Sequence, residues 1–173
     1  MPKRTMIVPI DGSDFSRRIV PQVSRLYSPR DYAIILLRVA EPAASIIGAP
    51  PRMMSLSWMR PMFDSAWDIE YTQHPIYADQ IEQSERSLFE QELLEDRHLL
   101  EAAGFEVAVE VRFGIPAEEI AAAAEQHRAD AIAMATHGRS GLRQLLMGSV
   151  AERVLRRVDI PVLMLRPFKA VEN

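Results

Sequence analysis

Three of the seven glycines crowd into one stretch, Ala135-Thr136-His137-Gly138-Arg139-Ser140-Gly141-Leu142-Arg143-Gln144-Leu145-Leu146-Met147-Gly148-Ser149. An apolar run precedes it and a helix-like segment follows. The stretch therefore leads from the carboxyl end of a strand to the N-terminus of a helix. Unpaired amides at such a junction attract anions, helped by the helix dipole. Glycine lets the backbone approach a phosphate with no Cβ in the way, and Arg139 and Arg143 add positive charge. The same residues also read as a plain strand-to-helix connection. Ser149-Val150-Ala151-Glu152 fits a capping box, and Leu142, Leu145 and Leu146 would pin the loop to the core. Spacing alone does not choose between the two.

Other reactive side chains are sparse. Asp11-Gly12 ends the first apolar run, Met6-Ile7-Val8-Pro9-Ile10, and by itself reads as a turn. His137 borders the glycine-rich stretch, but the sequence places no nucleophile or acidic partner beside it, which favours a structural role over general-base catalysis. His74, His98 and His127 lack metal-ligand spacing, and there is no cysteine. Disulfides, thiol chemistry, zinc fingers and iron–sulfur ligation are thereby excluded.

The elements that must carry these residues follow from periodicity. Met6 to Ile10 and Ala33 to Val39 are apolar on both faces, as interior parallel strands are. Between them Ser13 or Asp14 caps a helix running to about Leu26, with Pro21 kinking it or marking a late start. Gln80 to Ala103 reads as one long helix with Phe89, Leu93, Leu100 and Ala103 on its stripe and Gly104 as its stop. Phe105 to Phe113 alternates, Val107, Val109, Val111 and Phe113 sharing a face. Pro116 starts the next helix at its first position. A strand over Asp130 to Ala135, a helix from Val150 to about Val158 and a strand over Ile160 to Leu165 complete the chain. Strands alternating with helices imply an open α/β fold with helices on both faces of a parallel sheet.

The chain has 173 residues, 48% hydrophobic and 25% charged, which suits a single domain with a substantial core. A formal net charge of -4 argues against bulk binding to nucleic acid or anionic membranes. Uncharged stretches such as Pro42 to Pro51 are too short to span a bilayer, and no signal-peptide pattern precedes the first strand. A cytoplasmic protein is expected. Residues from about 42 to 78 stand apart, with five of the 12 prolines, four of the nine methionines and both tryptophans, Trp58 and Trp67. This Pro/Met/Trp-rich insertion reads as a lid over its own domain or as an adaptable partner surface.

Taken together, Ile7-Val8-Pro9-Ile10-Asp11-Gly12-Ser13, then Thr136-His137-Gly138-Arg139-Ser140-Gly141, then Gly148-Ser149 and Pro161-Val162-Leu163 resemble the universal stress protein family. The likeness covers roughly residues 3 to 166 outside the insertion and treats 1–173 as one domain. It implies a five-stranded parallel sheet of order 3-2-1-4-5, of the adenine-nucleotide α-hydrolase-like type, with the loops after Ile10 and Ala135 facing one crevice. It also implies ATP, with Mg2+ arriving on the nucleotide, bound through glycine, two residues, glycine, nine residues, glycine and Ser/Thr. Here Gly138, Gly148 and Ser149 match that pattern and Ala135 stands at the first glycine.

Carried over position by position, Asp11 would meet ribose or the metal–phosphate group, and Val39 would meet adenine through its backbone. Met134 and Ala135 would border the nucleotide. Gly138, Gly148, Ser149 and Val150 would contact phosphates, with Arg139 as a charged supplement. The implied function is an ATP-binding stress-response regulator or nucleotide sensor, with at most weak ATP hydrolysis. A homodimer pairing the last strand across a two-fold axis is implied as well. The alternative is a dimeric interaction module that binds no nucleotide and uses the insertion. An ATP pyrophosphatase-like enzyme ranks last, because Asp11-Gly12-Ser13-Asp14 does not match the loop such enzymes carry.

Overall fold

The computed structural model describes residues 2–40, 75–136 and 147–166. Its strands are β1 (Arg4–Pro9), β2 (Tyr32–Ala40), β3 (Glu106–Phe113), β4 (Ala131–Ala135) and β5 (Val162–Leu165). Its helices are α1 (Asp14–Arg17), α2 (Ile19–Leu26), α3 (Pro75–Glu92), α4 (Leu94–Ala102), α5 (Pro116–Gln126) and α6 (Ser149–Leu155). The strands form one sheet in the order β3-β2-β1-β4-β5, every pair parallel, as the resemblance implied.

Alternation along β1 and β2 splits the core into two layers. Met6, Val8, Ile10, Ile34 and Leu36 pack with Ile19, Val20 and Val23 of α2 and with Leu93 and Leu100. On the opposite face Ile7, Ile35, Leu37, Ile132 and Met134 pack against Ile120 and Ala123 of α5 and Ala151 and Val154 of α6. Runs buried on both faces therefore sit mid-sheet. The alternating strand β3 takes an edge, where its Glu106 and Ala108 are exposed while Val111 is buried.

Two expected helices are divided. The first breaks at Arg18, because Pro21 has no N–H for the Arg17 carbonyl and its ring would clash there in a continuous helix. The long helix begins at Pro75 rather than Gln80 and breaks at Leu93, whose side chain is wholly buried. Ala103 is exposed, contrary to its place on the expected stripe, and Asp96 lies buried between Leu93 and Leu100. Gly104 ends α4 at φ +93°, a conformation that favours glycine, with its N–H on Glu101 O and that of Phe105 on Leu100 O. Pro116 opens α5 as expected. Residues 41–74, most of the insertion, lie outside the described residues. No helix among the described residues is long and apolar enough to cross a membrane.

Candidate functional site

The site arises because β1 stops before both of its neighbours at the carboxyl end of the sheet. Arg4 N–H donates to Asp31 O (2.8 Å) and Ile10 N–H to Leu37 O (2.9 Å), so the even-numbered peptides of β1 face β2. Facing alternates along a strand, which turns Pro9 toward β4, where it has no N–H to give. The β1–β2 register reaches Pro9↔Leu37, whereas the β1–β4 register holds Met6↔Ala131 and Ile7↔Ile132. Both flanking strands run on, β2 to Ala40 and β4 to Ala135.

Their peptide edges can be assigned in the same way. Leu37 O takes the Ile10 bond while Ala40 O accepts from Gly114 N–H on the β3 side (2.8 Å). Val39 therefore turns its N–H and C=O toward the space beyond β1. Across the gap, Ile132 and Thr136 donate to Pro161 O and Leu165 O on β5, which turns Ala135 toward β1. Among the described residues, these edges outline a slot at the carboxyl end of the sheet. Val39 and Ala135 are its walls and Pro9-Ile10-Asp11 is its floor.

Asp11 closes that floor as a turn. Its Oδ1 accepts from Ser13 N–H (2.9 Å) and from the Ser13 hydroxyl (2.6 Å), while Gly12 takes φ +82°. Ser13 Oγ in turn accepts from Ser16 N–H (3.1 Å) and caps α1. The Ser16 hydroxyl accepts from Asp11 N–H (3.3 Å) and donates to Ser13 O (2.9 Å). On the other wall Gly148 N–H donates to Thr136 O (2.6 Å), and the buried Thr136 hydroxyl donates to Leu165 O (3.2 Å).

The capping box, the alternative reading of Ser149-Val150-Ala151-Glu152, does not form among the described residues. Gly148 is the N-cap of α6, no side-chain hydrogen bond caps this end, and Glu152 pairs with Arg156 Nη2 instead (2.8 Å). Among the described residues, the first-turn amides of α6, on Ser149 and Val150, thus lack a side-chain cap.

Two arginines tie α3 and α4 to this end of the sheet. Arg17 donates through Nη2 to Glu92 O (2.9 Å), and its Nη1 lies 3.2 Å from Asp96 Oδ2. Burial pushes the Asp96 carboxyl up, opposed by Arg17 and reinforced by Glu95. Arg38 lies over the Phe89 ring at 4.7 Å, with its Nε 3.5 Å from Glu92 Oε2 and its Nη1 donating to Val39 O (3.2 Å).

The profile described as the Universal stress protein family matches residues 64–166. The chain belongs to the universal stress protein family. Universal stress protein MJ0531 of Methanocaldococcus jannaschii is 26% identical over 166 residues, 96% of this chain and 84% of its own. The solved structure of protein MJ0577 superposes with a TM-score of 0.71 at 22% identity, covering 98% of this chain and all of the other. A universal stress protein in complex with cAMP superposes with a TM-score of 0.57 at 20% identity, covering 96% of this chain and 98% of the other. Further solved relatives hold dAMP, in the protein from Archaeoglobus fulgidus, and AMP, in one from Arabidopsis thaliana.

In this universal stress protein the expected residues Asp11, Val39, Met134, Ala135, Gly148, Ser149 and Val150 lie at the carboxyl end of the sheet or at the head of α6. Gly138 and Arg139 lie outside the described residues, as do His137 and Arg143. Met134 is buried in the core, and its peptide edge faces β5, as those of Ile132 and Thr136 do. Among the described residues, Arg128 is the one non-glycine with positive φ. Ala135 therefore adopts ordinary strand geometry, where a methyl group in place of glycine brings no backbone strain. Sequence reading missed Pro9, Thr136, Glu92 and Arg38 as parts of the site. A signal existed for Arg38: it is the single charge inside the apolar run Ala33 to Val39.

Proposed function

We propose that this universal stress protein binds ATP in the slot above Pro9-Ile10-Asp11 and acts as a nucleotide-responsive stress regulator. The observation that carries this reading is the pair of peptide edges, Val39 and Ala135, turned toward the space left where β1 stops. A purine fits against the Val39 edge through one donor and one acceptor. The triphosphate then runs past Asp11 toward Gly148, Ser149 and Val150, with Gly138 and Arg139 completing the phosphate loop. Mg2+ arrives with the nucleotide. Relatives that hold AMP, dAMP or cAMP support an adenine nucleotide as the ligand class.

Turnover is slow or absent in this reading. Asp11 Oδ1 already accepts two hydrogen bonds from Ser13, which suits a turn-forming carboxylate better than a base that activates water. The protein works in the cytoplasm as a homodimer pairing β5 across a two-fold axis. That strand lies at the sheet edge with all four residues half-buried, and such edges accept another chain.

Mass spectrometry of protein purified without added nucleotide, followed by MgATP titration calorimetry, tests the reading. Copurifying adenine nucleotide or micromolar binding is expected. Binding only in the millimolar range would defeat it, leaving the interaction-module alternative. That alternative depends on the insertion at about 42–78, most of which lies outside the described residues.

A further inference from the structure

We infer that Arg38 sets the base preference of the slot, making it accept guanine as well as adenine nucleotides by acting through the Val39 carbonyl. This rests on the nucleotide reading above. A bare strand edge offers one N–H and one C=O. That pair complements adenine, whose N1 accepts and whose N6 amino group donates. Guanine reverses the order, with an O6 acceptor beside an N1–H donor.

At Val39 the edge is not bare. Arg38 Nη1 donates to the carbonyl at 3.2 Å, placing a cation where the N6 amino group of adenine would donate. A charge-assisted donor occupies part of that oxygen's acceptor capacity. The positive charge disfavours the electropositive amino group of adenine and favours the electronegative O6 of guanine. The arrangement is held in place. The Arg38 side chain is 5% exposed, lies over Phe89 at 4.7 Å and has the Glu92 carboxylate 3.5 Å from its Nε. Phe89 is itself packed against Phe113, with ring centroids 6.4 Å apart.

The test compares MgATP and MgGTP affinity by calorimetry in the full chain and two variants. The wild type is expected to bind both within about tenfold of one another. Arg38→Met should raise the ATP-to-GTP preference by about tenfold, the scale of one lost charge-assisted hydrogen bond. Glu92→Gln keeps the arginine and removes its counter-charge, so preference should move the other way, toward GTP. This second variant keeps the inference testable if Arg38→Met does not fold. A wild type that prefers ATP by more than about a hundredfold, or a ratio that neither variant moves, would overturn the role of Arg38 alone. A wild type that binds neither nucleotide would overturn the nucleotide reading, and this inference with it.

Discussion

The Gly148 N–H donates to the Thr136 carbonyl at 2.6 Å, so the glycine-rich stretch leaves β4 and returns to α6 at one point. Thr136 is held in turn by two bonds to Leu165 O, from its N–H at 2.9 Å and its hydroxyl at 3.2 Å. The edge strand β5, the end of β4 and the head of α6 are thereby linked through a single buried residue.

This clamp is separable by substitution. Gly148 has φ -73°, which proline adopts without strain, so Gly148→Pro removes the donated hydrogen bond and adds a ring beside the proposed phosphate path. Nucleotide affinity should fall by tenfold or more, on the order of the 1.4 kcal/mol that tenfold represents. Thr136→Val keeps the accepting carbonyl and removes only the hydroxyl bond. It should lower stability by about 1 kcal/mol in urea while affinity changes less.

Pro9 gives a test of the slot itself. Pro9→Val supplies the missing N–H on the β4 side and lets β1 pair further along β4. Thermal stability should hold or rise, and nucleotide affinity should drop as the walls close. Unchanged affinity with raised stability would place the ligand elsewhere.

Arg17 and Asp96 form a mostly buried ion pair, with side chains 27% and 4% exposed. Arg17→Met leaves the Asp96 carboxyl buried without its partner and should destabilise the fold by about 2–3 kcal/mol. Adding Asp96→Asn to that variant should recover part of the loss, because a neutral amide is less penalised by burial. Denaturant midpoints of the two variants provide the check.

Glu110 supplies a pH signature. Burial alone would raise its carboxyl, but hydrogen bonds from Arg112 and His127 outweigh burial and bring it below its ordinary value of 4.5. Arg112 also faces Glu119 at 3.6 Å and donates to Gln126 at 2.7 Å, both on α5, and His127 follows that helix directly. A lowered folded-state value means that the stabilisation is present above the unfolded value and is lost as pH falls through the folded one. Glu110→Gln should therefore be less stable than wild type at neutral pH by about 1 kcal/mol, given its partial exposure. The gap should close as the solution is acidified below 4.5. Urea titrations across that range measure it.

Much of the architecture was legible in the chain. Runs such as Ile34-Ile35-Leu36-Leu37 declare burial on both faces, and alternation over Val107 to Phe113 declares a strand with one face outward. Gly104 and Pro116 marked helix ends where the structure has them. Pro21 marks a disturbance in the sequence, but only the fold shows that the helix restarts, with its break at Arg18. The break at Leu93 had no comparable signal, since no proline or glycine stands near it. Asp96 reads as a solvated acid until Arg17, far away in the chain, is brought to meet it.

The amino-acid sequence by itself determined the fold class, the family and the residue types available to a ligand, because periodicity, turn chemistry and motif spacing are local properties. It did not determine which way a peptide edge faces. That Val39 and Ala135 turn their backbones toward one gap depends on strand register. That Arg38 covers the Val39 carbonyl depends on Phe89 and Glu92 arriving from a separate helix. Such relationships join residues distant in sequence, so only the tertiary structure could decide them.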